Sequence, residues 1–160
     1  GGTGDLAEAS KIYLRFPLTG VDKARLDQAV LRLTFSKTTP VKPKTKSYTL
    51  QVWGLKTAAA WDESITWQTA PGNDPASTGN LAPAQAALLV NYPLQANPET
   101  GDILTVEDRA LTKFLREFPD DEVTLVLTAG SDGDHKKGWW ITATEDSQRF
   151  RPPTLILKAK

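Results

Sequence analysis

Two of the five tryptophans lie where an aromatic side chain could bind a ligand. Trp53 and Trp140 each alternate with the apolar residues of a predicted strand, so both are expected on the face turned away from the core. An exposed indole can stack on the apolar C–H face of a pyranose ring, while neighbouring polar groups fix the orientation of the sugar. Trp53 and Trp140 are therefore candidate sugar-stacking residues, and covering a sheet edge is the alternative.

Cationic and amide side chains are predicted on the same side as these two tryptophans. The strand phases place Arg15, Arg32 and Gln51 there. A guanidinium group can hold a carboxylate through two parallel hydrogen bonds, so arginines beside an exposed indole suit an acidic sugar such as a uronate. Arg15 can instead pair with an acid across the sheet. We expect these three residues to share one binding surface with Trp53 and Trp140.

A second group of cations flanks Trp140 in the sequence. Lys136 and Lys137 lie in the turn before it, and Arg149 lies in the segment after it. A cation close to an aromatic ring suits a uronate, which presents both a ring face and a carboxylate. The alternative is a solvated turn whose lysines bind nothing. Lys136, Lys137 and Arg149 complete the predicted carbohydrate-binding set.

The residue types that the chain lacks exclude several chemistries. It contains no cysteine, which excludes a disulfide, a zinc–thiolate site and a cysteine nucleophile. His135 is the single histidine, and a serine triad would have to use it as the imidazole base. Because His135 lies in a turn with no clear partner, a sandwich-fold lyase is the weakest of the functions considered, and we expect no enzyme activity.

Charge and hydropathy restrict the partners. The 19 basic residues equal the 19 acidic ones, which disfavours a nucleic-acid binder because such proteins usually carry a basic excess. No stretch approaches the roughly 18 consecutive apolar residues that a membrane-spanning helix needs. We therefore expect neither a nucleic-acid partner nor a membrane span. The chain is expected to be a monomer.

Two groups of carboxylates are candidate calcium ligands. The turn at residues 130–134 carries Asp132 and Asp134, but it is too short for an EF-hand loop and lacks the distal glutamate. Asp62 and Glu63 also present oxygens, and capping of their own turn is the alternative. We expect no cofactor. The metal ligands stay unassigned, with structural calcium as the one ion considered.

Period-two alternation of apolar residues predicts seven or eight short strands separated by turns. The predicted strands cover residues 12–18, 29–35, 48–55, 86–92, 122–129, 139–144 and 154–158. A turn followed by one more short strand is predicted for Trp61–Pro71, where Trp61 and Trp67 are expected to pack in the core or at a corner. The alternative for these two tryptophans is sugar stacking.

One helix is predicted in the connection before residue 122. Thr105 is a suitable N-cap with Asp108 three residues later, and Pro119 ends the helix. The apolar residues that share one helical face are Val106, Ala110, Leu111, Phe114 and Leu115.

The order of these elements is typical of an all-β fold, an antiparallel β-sandwich that is jelly-roll-like, with one short helix in a connection. The length of 160 residues fits one domain over residues 11–160, and residues 1–10 are a linker or a partial first strand. The chain has no methionine, so we expect it to have been processed or excised from a longer chain.

Several motifs resemble those of DNRLRE domains, which overlap the family-96 carbohydrate-binding modules. Tyr13–Leu18 resembles the family's YLRFDL strand, and Trp61–Pro71 resembles its W-x-E-x-x-T-W-x-x-A-P signature. Weaker matches are the A-x-L-x-L strand at residues 29–35, Leu104-Thr105, residues 141–145 and residues 153–155. The resemblance covers roughly residues 11–158. Ala143 and Thr144 depart from the usual Ser and Arg, and the family's first strand is not visible.

The resemblance implies a function that the residue patterns alone do not show. Modules of this family are non-catalytic and extracellular, are appended to polysaccharide lyases and other bacterial surface enzymes, and bind acidic glycans such as alginate. It therefore implies a secreted or cell-surface module that recognises an anionic, uronate-containing polysaccharide and targets an attached catalytic domain to it. The alternative is a structural or adhesion spacer of a large bacterial surface protein without its own glycan site, which buried Trp53 and Trp140 would favour.

Overall fold

The computed structural model of the protein describes residues 11–38, 48–94, 99–129, 139–141 and 151–160. Within these ranges the chain forms eight strands, one α-helix and a short 3₁₀ turn at Lys23–Arg25. The strands and the helix are β1 (Ile12–Pro17), β2 (Leu26–Thr38), β3 (Tyr48–Leu55), β4 (Ala86–Leu94), β5 (Ile103–Glu107), α1 (Arg109–Glu117), β6 (Glu122–Ala129), β7 (Trp139–Ile141) and β8 (Thr154–Ala159).

The strands form two antiparallel sheets. In sheet A the strand order is β1-β6-β3-β4, and in sheet B it is β5-β2-β7, with β8 also paired to β2. The strand β6 occupies an interior position of sheet A, in keeping with its regular alternation and its β-branched residues. The predicted fold class, an all-β antiparallel sandwich with one short helix in a connection, is confirmed.

The core lies between the two sheets. Leu50 and Leu125 from sheet A and Leu31 from sheet B are fully buried and belong to one apolar cluster. Alternate residues of each strand contribute to this cluster because successive side chains of a strand point to opposite faces. Burying one such leucine contributes about 1.5–3 kcal/mol, which makes this cluster the main source of fold stability.

The helix begins later than the sequence predicts. Asp108 is its N-cap, and the Asp108 carboxylate accepts a hydrogen bond from the backbone N–H of Ala110 at 2.8 Å. Thr105, the predicted N-cap, lies in the middle of β5, where it pairs with Arg32 of β2. The prediction was wrong because Leu104 and Val106 also alternate, and pairing with β2 buries both in the core.

The strand β5 pairs with only part of one edge of β2, and α1 packs beside the rest of that edge. The strand β5 pairs with Val30–Thr34, and α1 contacts the residues that precede this range. The Thr112 hydroxyl accepts a hydrogen bond from the Ala29 N–H at 3.1 Å. The Arg116 guanidinium donates two hydrogen bonds to the Leu26 carbonyl, at 3.1 and 2.7 Å. These contacts satisfy backbone groups that would otherwise lack a strand partner.

The predicted short strand within Trp61–Pro71 is absent, since this described stretch consists of turns. The Asp62 carboxylate accepts a hydrogen bond from the Ser64 N–H at 2.8 Å, and the Ala70 N–H donates to the Thr66 carbonyl at 2.9 Å. Asp, Ser and Thr side chains that bond to the nearby backbone compete with strand pairing. The alternation of Ile65 and Trp67 was therefore not a strand signal.

Candidate functional site

The connection between β3 and β4, residues 56–85, folds over the outer face of sheet A, and we call it the cap. Side chains on this face come from three neighbouring strands. Tyr13 and Trp53 both pair with Val126, and Arg15 pairs with Thr124. Hydrogen bonds from Tyr13 and Arg15 to backbone carbonyls join this face to the cap. The predicted site residues Arg15, Gln51 and Trp53 all belong to this face, as their strand phases predicted.

The cap buries Trp53. Its side chain is only 8% exposed and packs in a second apolar cluster with Leu55, Leu81, Ala86 and Val126. Its indole N–H donates to the Thr128 hydroxyl at 3.0 Å, and that hydroxyl donates to Gln51 Oε1 at 3.1 Å. The expected exposed stacking platform at Trp53 is therefore wrong, because a long connection covers the outward face.

Gln51 completes this chain of hydrogen bonds. Its amide Nε2 donates to Asn91 Oδ1 on β4 at 3.1 Å, while its Oε1 accepts from Thr128. Both ends of the Gln51 side chain are thus bonded within sheet A. Such a connected network holds the Trp53 indole in one orientation.

Arg15 is exposed, and its guanidinium group also contacts the cap. Its Nη1 donates to the Trp61 carbonyl at 2.7 Å, and its Cζ lies 4.7 Å from the centroid of the Trp61 ring. Its Nε lies 3.7 Å from Glu122 Oε1 on β6, so it also pairs with an acid across the sheet. An ion pair at such an exposed site contributes about 0–1 kcal/mol, so the contacts with Trp61 dominate.

Trp61 and Tyr13 form the corner of the cap. The Trp61 indole N–H donates to the Thr124 hydroxyl at 2.9 Å, and the two rings meet edge to face with centroids 5.8 Å apart. The Tyr13 hydroxyl donates to the Pro71 carbonyl at 3.0 Å. Burial raises the pKa of Tyr13 to about 12, so this donor keeps its proton at neutral pH. Half-buried Trp61 fits the predicted corner packing.

The carboxylates beside Trp61 serve the turn. The Asp62 carboxylate accepts hydrogen bonds from the hydroxyl and the N–H of Ser64, and these bonds hold the pKa of Asp62 below its usual value. Within the described ranges, no group of three or more His, Asp or Glu side chains could hold a metal ion. Residues 130–134, where the sequence predicts a turn, and His135 lie outside those ranges.

Arg32 lies on the opposite side of the molecule from Arg15. It pairs with Thr105 of β5 and Thr154 of β8, while its neighbours Leu31 and Leu33 are buried in the core. The prediction that Arg32 and Arg15 share a surface is therefore wrong. Both side chains do point away from the core, but β1 and β2 belong to different sheets, whose outer faces look in opposite directions.

The outer face of sheet B surrounds Arg32 with polar and apolar side chains from three strands. Register places Gln28 and Val30 beside Arg32 on β2, Thr105 and Glu107 on β5, and Thr154, Ile156 and Lys158 on β8. Thr105, Thr154 and Lys158 are exposed, and Arg32 is half-buried. Glu107 accepts a hydrogen bond from the Gln28 amide. The face therefore combines two cations and the Glu107 carboxylate with exposed hydroxyls.

Of the remaining predicted residues, Trp140 is the one that lies within the described ranges. The backbone of Trp140 lies in β7 opposite Lys37 of β2, so Trp140 and Arg32 belong to strands that pair with each other. Lys136, Lys137 and Arg149 lie outside the described residues.

Two further features were missed by the sequence predictions. Lys11, immediately before β1, donates a hydrogen bond to Asn73 of the cap. The period-two pattern of Tyr13 and Arg15, extended by one step, could have placed Lys11 on this face. A shallow cavity of about 230 Å³ also opens at one end of the sandwich. Its lining residues are Val21, Asp22, Arg25, Leu26, Leu157 and Ala159.

Comparison of the sequence with models of protein families found no matching family, and comparison with curated proteins found no matching protein. Among the described residues, no helix is long and apolar enough to cross a membrane.

Proposed function

We propose that this chain is a non-catalytic carbohydrate-binding module that recognises an anionic, uronate-containing polysaccharide such as alginate. In this proposal the module is secreted or on the cell surface and targets an attached catalytic domain to the polysaccharide. The main support is that the two strongest motifs of the DNRLRE resemblance contact each other. Tyr13 and Arg15 of the first motif donate hydrogen bonds to the carbonyls of Pro71 and Trp61, which end and begin the second.

The proposed binding surface is the outer face of sheet B. Arg32 can pair with a uronate carboxylate through two hydrogen bonds, and Lys158 adds a second positive charge on a neighbouring strand. The exposed hydroxyls of Thr105 and Thr154 can donate to or accept from sugar hydroxyls. Trp140, in the strand that pairs with the far end of β2, is the remaining candidate for ring stacking.

Affinity electrophoresis tests the proposal. The native chain should be retarded in gels that contain alginate or pectate and not in gels that contain a neutral glucan. Added salt should weaken the retardation because charge pairing supplies part of the affinity. Absence of retardation by every acidic glycan would contradict the proposal. A turnover assay on uronate polymers tests the non-catalytic part, since release of new chain ends would overturn it.

A matched pair of double variants locates the surface. Arg32→Ala with Lys158→Ala should abolish the retardation. The control, Arg109→Ala with Lys113→Ala, also removes one arginine and one lysine, from exposed positions on α1. It should leave retardation unchanged. Equal effects of both double variants would indicate a response to net charge rather than a site.

A second candidate function is a structural or adhesion spacer without its own glycan site. The observation that favours it is the cap, which buries Trp53 and binds Arg15, two of the residues expected to contact sugar. A native chain that no glycan retards would support the spacer, whereas loss of retardation on substitution of Arg32 would exclude it.

A further inference from the structure

The Lys11 ammonium lies in a cage of oxygens that the cap provides. Its Nζ is within hydrogen-bonding distance of four oxygens and 4.5 Å from the centroid of the Trp67 ring. The oxygens are Asn73 Oδ1 at 2.6 Å and the backbone carbonyls of Asp74 at 3.2 Å, Ser77 at 2.8 Å and Asn80 at 2.6 Å. An ammonium group has only three hydrogens, so this cage offers more acceptors than one lysine uses.

The donor set is chemically suited to a monovalent cation. All four oxygens are uncharged, because three are carbonyls and the fourth is an amide oxygen. Their distances of 2.6–3.2 Å from Nζ extend well beyond the roughly 2.3–2.6 Å that calcium requires. Carbonyl oxygens replace the hydration shell of potassium in channels, and an aromatic face also attracts an ammonium ion.

The loop holds these oxygens in place through bonds of its own. Asn73 forms an isolated antiparallel β-bridge with Leu81, and the Asn73 side-chain amide donates to the Trp67 carbonyl at 2.6 Å. The Ser77 N–H donates to the Asp74 carbonyl at 3.1 Å, and the Asn80 N–H donates to the Ser77 hydroxyl at 3.0 Å. None of these bonds involves the Lys11 side chain, so the loop has supports of its own besides the lysine.

We propose that residues 73–80, together with Trp67, form a binding site for a monovalent ammonium-type cation, which Lys11 fills from within the chain to hold the cap on sheet A. Half-burial lowers the pKa of Lys11 to about 8 and the nearby Asp74 charge acts in the opposite direction, so the ammonium form prevails at pH 7. Lys11 thus acts as a tethered ligand at the start of β1.

Chemical rescue of Lys11→Ala tests the site. The substitution should lower Tm by about 5–10 °C, since several charge-assisted hydrogen bonds are lost. The cation n-propylammonium has the same atoms that the substitution removes beyond Cβ, and it should raise the Tm of the variant. Neither n-propanol, which lacks the charge, nor tetramethylammonium, which lacks N–H donors, should do so.

A second lysine variant is the matched control. Within the described ranges the Lys23 Nζ also donates to backbone carbonyls, but to two rather than three. These are the carbonyls of Phe118 at 2.8 Å and Asp120 at 2.6 Å, and the Phe118 ring lies 5.9 Å away. Lys23→Ala should be destabilised without a comparable recovery in n-propylammonium. The proposal would be overturned if n-propylammonium raised the Tm of the native chain, Lys23→Ala and Lys11→Ala equally. It would also be overturned if n-propylammonium raised the Tm of none of them.

The native protein provides a readout that needs no variant. In ¹⁵N nuclear magnetic resonance spectra, the Lys11 ammonium hydrogens should exchange with water more slowly than those of the other lysines. Lys56 is the reference, because it is exposed and, among the described residues, its Nζ donates to the Pro83 carbonyl alone. Exchange at Lys11 as fast as at Lys56 would show that the cage does not hold the cation, even if Lys11→Ala fails to fold.

Discussion

The two outer faces of the sandwich carry similar residues and differ in how the described residues pack on them. On sheet A, Arg15 is held by the Trp61 carbonyl and ring, and Trp53 is buried under the cap. On sheet B, Arg32 lies between two exposed threonines. Strand periodicity therefore assigns a side chain to a face, whereas the connections between strands decide whether that face is accessible to a ligand.

The largest expected effect comes from the cluster beneath the cap. Trp53→Ala should lower the free energy of unfolding by about 3–5 kcal/mol, because it empties a buried site lined by Leu55, Leu81 and Val126. Urea unfolding followed by circular dichroism measures this loss. Trp53→Phe keeps most of the packing and should lose less. A stable Trp53→Ala chain that no longer binds alginate would reverse the assignment of Trp53 from packing to ligand contact.

A glycine pair tests how tightly the cap packs on sheet A. Gly72 has φ 68°, and a Cβ built on it would lie 2.6 Å from Leu55 Cδ2, so Gly72→Ala should be destabilised by about 2–4 kcal/mol. Gly20 has φ 78° but nothing within 4 Å, so Gly20→Ala should lose only the conformational part, about 1–2 kcal/mol. Thermal unfolding measures the loss of stability in both variants. Equal losses would mean that the cap shifts at Gly72 and accommodates the added methyl group.

Substitution of Arg15 and of Arg32 tests which outer face binds the ligand. Arg15→Ala should lower stability by about 1–2 kcal/mol and leave alginate binding unchanged, since its contacts are with Trp61 and Glu122. Arg32→Ala should weaken binding about tenfold, equivalent to about 1.4 kcal/mol, while stability changes by less than about 0.5 kcal/mol. Urea unfolding and isothermal titration with alginate oligosaccharides measure the two quantities. The opposite pattern would return the site to sheet A.

The smallest expected effect is at the rim of the cap. Tyr13→Phe removes only the hydroxyl that donates to the Pro71 carbonyl, which should lower the free energy of unfolding by about 0.5–1.5 kcal/mol. Glu122→Gln removes the exposed partner of Arg15 and should change it by less than about 1 kcal/mol. Urea titrations of both variants provide the check. A larger loss for Glu122→Gln than for Tyr13→Phe would show that charge pairing, not the cap, holds Arg15.

The sequence predicted the two sheets well, because alternation in strands such as β1, β2 and β6 is unambiguous. It failed where two patterns coincide. Leu104 and Val106 alternate as in a strand, yet Thr105 and Asp108 resemble a capping box, and only the available edge of β2 decides between them. In Trp61–Pro71 the alternating apolar residues are overridden by local bonds such as that from Ser64 N–H to Asp62.

The candidate site was predicted only in part, for a geometric reason. Outward direction follows from strand phase, and it was correct for Arg15, Arg32 and Trp53. Which sheet a strand joins depends on pairing between residues far apart in sequence, so the separation of Arg15 from Arg32 could not be deduced. The Lys11 cage needs carbonyls from a turn-rich loop, whose directions no residue pattern specifies.

We propose that the ligand binds the outer face of sheet B. A titration of the ¹⁵N-labelled chain with uronate oligosaccharides tests this most directly. Amide resonances of Arg32, Thr105, Thr154 and Lys158 should shift in a saturable way. Those of cap residues such as Trp61 should stay unchanged. Shifts confined to the cap and to Arg15, or the absence of any shift with acidic oligosaccharides, would contradict the account.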